Sequence, residues 1–185
     1  MANPAGPIGP IPNGQDPLAY DQARRRLFWA MPSGLYLLGS MAGDIRNLMT
    51  INWVSQVSSS PKLLGVSIEN EALTHRLVDE AALFTLSLVA RKDRAIIRKF
   101  VKPATDDRAA MTLNGIDYRD GPMTGVPILK DAIGHFECRV TDSLPFSSHT
   151  LFVGEVIDVA LGDELIVGNE VEVLSMHDTR MNYGG

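Results

Sequence analysis

DIRNLMTINWVSQVSSSP, residues 44–61, is the stretch from which the rest of the chain is best understood. Its apolar residues Ile45, Leu48, Met49, Ile51, Trp53, Val54 and Val57 follow a broken period of two, the spacing that sends alternate side chains to opposite faces of a strand. Between them stand Arg46, Asn47, Thr50, Asn52, Ser55, Gln56, Ser58, Ser59 and Ser60, which offer guanidinium, amide and hydroxyl groups in quick succession. An ordinary core strand cannot satisfy that many polar groups once buried. The run is therefore either an edge strand meeting water or a strand with a polar ligand along one side.

Outward from this stretch the chain reads as short strands with a few helices. Residues 1–15 hold four prolines, three glycines and no charged side chain, which suits neither sheet nor helix and sets them apart as an arm before a domain at 16–185. Asp16-Pro17 starts a helix, with Asp as N-cap and Pro in the first turn, running to about residue 28. A strand at 35–40 and a turn at 41–44 lead into the opening stretch, and 63–68 follows as the next strand. A short helix at 71–80, a strand at 83–89 and a helix capped by Asp93 and ended before Pro103 come next. Residues 104–130 are irregular, a long loop of the kind that serves function or an interface. Strands at 133–142 and 150–161 close the pattern, with shorter candidates at 165–167 and 171–174. About seven strands with two or three helices make a mainly β fold, a six-stranded antiparallel barrel with flanking helices.

Composition narrows the function classes. At 185 residues, 45% hydrophobic and 21% charged, the chain fits one globular domain with a real core. A formal net charge of -5 argues against nonspecific nucleic-acid binding, which relies on clustered Lys and Arg. The single cysteine, Cys138, rules out an internal disulfide framework and fits a reducing cytoplasm. No apolar run approaches the ~20 residues of a membrane span, and the N-terminus has no secretory-signal pattern. His75, His135, His149 and His177 are scattered, without the spacing of a zinc site, so no metal is expected. His135-Phe136-Glu137 has the H-x-E form found in zinc deaminases, but no P-C-x-x-C follows. With no nucleophile elbow, dinucleotide-binding glycine motif or Walker loop, a cofactor carrying the hard chemistry is the economical expectation.

The ordered pieces Asn47-Leu48-Met49-Thr50-Ile51-Asn52-Trp53, Val57-Ser58, Ser60-Pro61, Ile68-Glu69-Asn70 and Thr74-His75 resemble those of the flavin reductase-like family. So does the later run Ser148-His149-Thr150-Leu151-Phe152-Val153-Gly154-Glu155-Val156, similar to that family's D-H-T-x-F-V-G-E-V strand. The matches cover roughly residues 32–160 in the right order. Ser60-Pro61-Lys62 departs from the family's usual pair of prolines, and the C-terminal end is short.

The resemblance implies an FMN-binding split barrel, with FAD as an alternative cofactor, NAD(P)H as co-substrate and a homodimeric assembly. It implies electron transfer from NAD(P)H to flavin, the reduced flavin serving a separate monooxygenase. Carried onto this chain, Asn47, Met49, Thr50, Asn52 and Trp53 form the main flavin wall. Ser67, Glu69, Asn70 and Thr74 meet the ribityl chain and phosphate, where helix N-terminal amides favour an anion. Lys99 and Phe100 approach the cofactor from the next helix; otherwise they are a solvated charge and a core residue. His149 stands where nicotinamide would stack on the flavin, orienting it rather than acting as a strong base. Tyr183 and Asn182 close over the same pocket or belong to a frayed end. Two rival readings keep the flavin: an electron-transfer flavoprotein not reduced directly by NAD(P)H, and a flavin-binding module without turnover.

Overall fold

The computed structural model describes residues 10–162 and 172–179. It opens on helix α1 (Pro17–Ala30), capped as its sequence requires: the Asp16 carboxylate accepts from the Ala19 amide at 2.8 Å, with Pro17 in the first turn. A hairpin of β1 (Tyr36–Ala42) and β2 (Ile45–Ile51) follows, its turn made by Gly43 at φ +54°, a conformation glycine adopts without strain. Two residues later β3 (Val54–Ser59) pairs with β4 (Lys62–Glu69). The opening stretch of sequence is thus two strands of opposite fate rather than one. β2 is almost wholly buried, whereas β3 is mostly exposed, and Asn52-Trp53 form the break between them.

Helix α2 (Leu73–Ala81) buries Thr74, Leu77 and Val78 and ends at Ala82, whose left-handed φ of 53° stops it. β5 (Leu83–Leu88) returns to the sheet. The helix expected from Asp93 to residue 101 is instead two short 3-10 turns, Arg91–Asp93 and Ile96–Phe100, neither with a side-chain cap. Asp93 lies inside the first turn instead of capping a helix, so nothing nucleates a longer one. The irregular 104–130 region carries more order than its sequence suggests, in the short strands β6 (Asp106–Asp107), β7 (Thr112–Leu113), β8 (Ile116–Asp120) and β9 (Pro127–Leu129). These make a small four-stranded sheet. The long strands β10 (Gly134–Pro145) and β11 (His149–Leu161) complete the fold. The candidate strand at 165–167, and Asn182 and Tyr183, lie outside the described residues.

The large sheet is antiparallel and runs β2-β1-β5-β10-β11-β4-β3, seven strands in an open order where six in a barrel were expected. Leu38, Ile51, Leu64, Val66, Ile68, Phe84, Leu86, Cys138 and Phe152, from six of its strands, meet in one buried cluster with Val78 of α2. The alternate residues Leu37 and Leu48 point the other way. With Leu35 they pack against Ile97, Phe100, Leu113, Tyr118, Leu129 and Leu174 in a second cluster. The period of two in the sequence thus feeds two cores on opposite faces of one sheet.

The small sheet is fastened to the outer face by polar contacts as well. Thr85 Oγ1 donates to the Pro127 carbonyl at 2.6 Å, and the Leu129 amide donates to Ser87 Oγ at 3.1 Å. Gly39 is required where β1 passes beneath, because a Cβ there would collide with the Pro127 carbonyl and the Thr85 hydroxyl. Among the described residues no helix is long and apolar enough to cross a membrane.

Candidate active site

The end of β2, the end of β4, the start of α2 and the start of β11 converge on an open groove of about 170 Å³, smaller than the roughly 300–1,000 Å³ usual for enclosed small-molecule sites. Met49, Thr50, Ile51, Asn52 and Trp53 form one wall; Ser67, Glu69, Ala72, Val101 and His149 form the rest. The β4–β11 register sets His149 directly opposite Glu69, while the Ser67 amide donates to the Trp53 carbonyl at 3.0 Å and holds the chain break against β4. The His149 and Trp53 rings lie side by side, centroids 4.7 Å apart and planes inclined by 50°. Trp53 remains 42% exposed, so its indole offers a flat apolar surface to the groove. Burial lowers the His149 pKa from the ordinary imidazole value, with Glu69 opposing the shift, and His149 Nδ1 is 2.9 Å from Ser148 Oγ.

Seven of the residues singled out from sequence therefore share this groove: Met49, Thr50, Asn52, Trp53, Ser67, Glu69 and His149. Three others stand behind it. Asn47 is buried, its amide donating to Thr74 Oγ1 and its carbonyl accepting from the Ala104 amide, both at 2.8 Å. Asn47 and Thr74 thus join β2 to α2 and to the loop after residue 100. Asn70 is likewise occupied: its amide donates to the Phe146 and Ser147 carbonyls at 3.1 and 3.4 Å, and its oxygen accepts from Thr150 Oγ1 at 3.0 Å. Because the Thr150 proton goes to Asn70, the 2.9 Å contact from His75 Nε2 makes that nitrogen the donor. The chain His75, Thr150, Asn70 ties α2 to the loop that presents His149.

Lys99 and Phe100 are not brought to the groove. Lys99 is exposed, and its carbonyl accepts from Asn114 Nδ2 at 2.7 Å. Phe100 is fully buried in the outer core, because the 3-10 turn rotates it inward and presents its half-exposed neighbour Val101 to the groove instead. Val101, Ile51 and Ala72 were missed by the sequence reading. An α-helical period was assumed for residues 93–101, and at that period Val101 falls on the core face with Phe100. Thr50, although in the wall, donates its hydroxyl to the Ile97 carbonyl at 2.7 Å.

A larger cavity, about 740 Å³, opens elsewhere on the sheet, lined by Tyr36, Val54, Leu63, Leu64, Leu86, Leu88, Phe136, Val156 and Val159 with Ser55, Gln56 and Lys62. It is mostly apolar and lacks the facing rings and convergent donors of the smaller groove.

The family model described as "Flavin reductase like domain" matches residues 28–183, most of the chain and every groove residue. The chain belongs to that family. Within it, the chain is similar to the NADPH-flavin oxidoreductase of Streptomyces viridifaciens, 27% identical over 135 residues that cover 72% of this chain and 69% of that protein. It is also similar to the reductase component of 4-nitrophenol 4-monooxygenase/4-nitrocatechol 2-monooxygenase from Rhodococcus opacus, at 25% identity over 70% of this chain and 66% of that one. Among solved structures it superposes on the Streptomyces globisporus C-1027 NADH:FAD oxidoreductase SgcE6 in complex with NAD and FAD fragments. The TM-score is 0.69 at 25% identity, covering 87% of this chain and 91% of that one.

Proposed function

We propose that this chain is a flavin reductase that passes a hydride from NAD(P)H to FMN or FAD held in the groove, and hands the reduced flavin to a partner monooxygenase. The observation that carries the reading is the half-exposed Trp53 set against the His149 ring at the mouth of a groove whose walls alternate apolar and polar groups. A flavin, when bound, supplies a planar ring that accepts two electrons; the chain's residues have to bind, orient and shield it.

The residues present fit that demand. Met49, Ile51 and Val101 give apolar surface that excludes water, while the Asn52 amide and the Ser67 hydroxyl offer hydrogen bonds to a polar ring edge and side chain. α2 has no side-chain cap at its N-terminus beside the groove, which suits an anionic phosphate. Asn47, Thr74 and Asn70 act indirectly, holding the walls in register. His149, kept neutral by burial, orients the nicotinamide without adding a charge to the transfer. A hydride passed from NAD(P)H to flavin would carry both electrons and the proton together, so the chain's residues would need to supply position rather than a base. Tyr183, proposed as a lid over the same pocket, lies outside the described residues.

Leu38, Ile51, Ile68, Phe84, Cys138 and Phe152 come from β1, β2, β4, β5, β10 and β11, and on this reading those are the six staves of a split barrel, with β3 as an outer flap. We further infer a homodimer in a reducing cytoplasm. Leu18, Leu27 and Phe28 of α1 and Met31 at its C-cap are 53–73% exposed, a stripe that a second copy would cover.

The deciding experiment is the visible spectrum of the purified protein with added flavin, recorded anaerobically before and after NADPH or NADH. Binding followed by rapid bleaching is expected. A bound flavin that neither nucleotide bleaches would make the chain an electron-transfer flavoprotein, and no binding would remove the proposal. Sedimentation at micromolar concentration should give the dimer mass, and a monomer would refute the assembly.

A further inference from the structure

His135 and Glu137 stand two residues apart on β10, so both project from the outer face of the sheet while Phe136 and Cys138 face the inner core. Asp158 is the register partner of Glu137 on β11. One ring nitrogen of His135 and one oxygen from each carboxylate lie within 4.8 Å of one another. Glu137 is fully buried and His135 is 4% exposed. The cluster is remote from the groove: Asp158 lies nine residues along β11 from His149, about 30 Å at ~3.3 Å per residue.

Two features mark it as more than a chance gathering of acids. First, the Glu137 carboxylate is rigidly held. The amides of Met123 and Thr124 and the Thr124 hydroxyl donate to it at 3.2, 2.8 and 2.6 Å, so one buried anion is fixed with its orientation set by a surrounding loop. Second, His135 Nε2 is buried and has no hydrogen-bond partner among the described residues. A polar nitrogen left so inside a protein calls for a water or an ion. The other ring nitrogen, Nδ1, has only a 3.3 Å contact from Nη2 of Arg119, an exposed side chain that reaches in from solvent.

We propose that His135, Glu137 and Asp158 form a binding site for a divalent cation of the zinc class, with Nε2 of His135 and one oxygen of each carboxylate as ligands. The mixed nitrogen and oxygen donor set suits Zn2+ or Co2+, with a fourth position left to water. Ligand atoms around such an ion sit on the order of 3.5 Å apart, so the cluster must close by about an ångström. Asp158, only partly buried, has the freedom to make that movement. The ring proton moves to Nδ1, and Arg119 swings back to solvent. The H-x-E spacing could not reveal the site from sequence because its third ligand comes from a different strand.

The test uses the untagged full-length protein, stripped with a chelator and titrated with Co2+, followed by visible absorption and by equilibrium dialysis of Zn2+. One ion per chain is expected. Loss of one of three ligands should weaken binding more than tenfold in both His135→Gln and Asp158→Asn, whereas Arg119→Ala should bind at least as tightly as the parent. Asp158→Asn alters a partly exposed side chain, so it serves if His135→Gln fails to fold. No uptake at millimolar metal, or unchanged affinity in Asp158→Asn, overturns the site. The readout needs no flavin, so it stands or falls separately from the reductase reading.

Discussion

The His149 imidazole and the Trp53 indole lie 4.7 Å apart at the mouth of the groove, brought together by β4, which pairs Glu69 with His149 and holds the Trp53 carbonyl through the Ser67 amide. Each ring is partly exposed, and neither is needed to fill a core. Replacing His149 with alanine should leave flavin bound and slow hydride transfer by about tenfold to a hundredfold, because a positioning group acts on the reacting pair rather than on the resident cofactor. Anaerobic stopped-flow reduction by NAD(P)H measures this. Full turnover with bound flavin would move the nicotinamide site elsewhere, and loss of flavin with aggregation would make His149 a structural strand-end residue.

His149 also sets a sign for pH dependence. Its folded pKa lies below the ordinary value of 6.5, chiefly because burial disfavours the charged ring. The unfolded chain therefore binds the proton more readily. The contribution to stability is fully present above about pH 6.5 and is lost as pH falls through the folded pKa. Denaturant unfolding of the parent between pH 7.5 and pH 5 should show this decline, and His149→Gln should show a shallower one. Equal slopes would mean that other groups dominate the acid limb.

How much of this was legible in the sequence depends on whether local or distant contacts decide. The Asp16-Pro17 helix start, the Gly43 turn and the strand through Leu37 and Leu38 are local, and sequence alone places them. The groove wall from Met49 to Trp53 was readable for a related reason: an excess of polar side chains on a buried strand demands a partner. What could not be read was which of those groups are already occupied. Asn47 and Asn70 look like ligand donors in sequence, yet Thr74, Ala104 and the 146–147 carbonyls consume them. Likewise the small sheet at 106–129 has strands of two to five residues, too short for a period to register.

The inner core sets a tight steric limit at Gly154. A Cβ there would sit 2.5 Å from Phe84 Cε1 and 3.0 Å from the Cβ of Cys138, both residues fully buried. Gly154→Ala should cost about 1–3 kcal/mol of stability, the usual range for overpacking a filled core. An unchanged denaturation midpoint would show that Phe84 yields without penalty.

Burial, with the nearby Glu137 charge, pushes the Cys138 thiol up to about 12. Thiolate is the reactive form, so Cys138 in the folded protein should resist a disulfide reagent at pH 8 and react promptly once the chain is unfolded in denaturant. Fast stoichiometric labelling of the native protein would contradict the packed environment described for it.

The two asparagines of the opening stretch separate a group that holds the site from one that meets the ligand. Asn47 is buried with its amide and its carbonyl both bonded, so Asn47→Ala strands the Ala104 amide and the Thr74 hydroxyl. It should lower stability by about 1–3 kcal/mol, with flavin affinity falling only as the walls loosen. Asn52 lies in the groove wall at the strand break and is only partly buried. Asn52→Asp replaces a neutral amide donor with a carboxylate beside an anionic cofactor, so it should weaken flavin binding while leaving the unfolding midpoint nearly unchanged. Flavin fluorescence titration and denaturant unfolding, run on both variants, give four values that must fall in this crossed pattern. If Asn52→Asp binds flavin as tightly as the parent, its side chain faces away from the cofactor, and the polar edge of the site must rest on Ser67 instead.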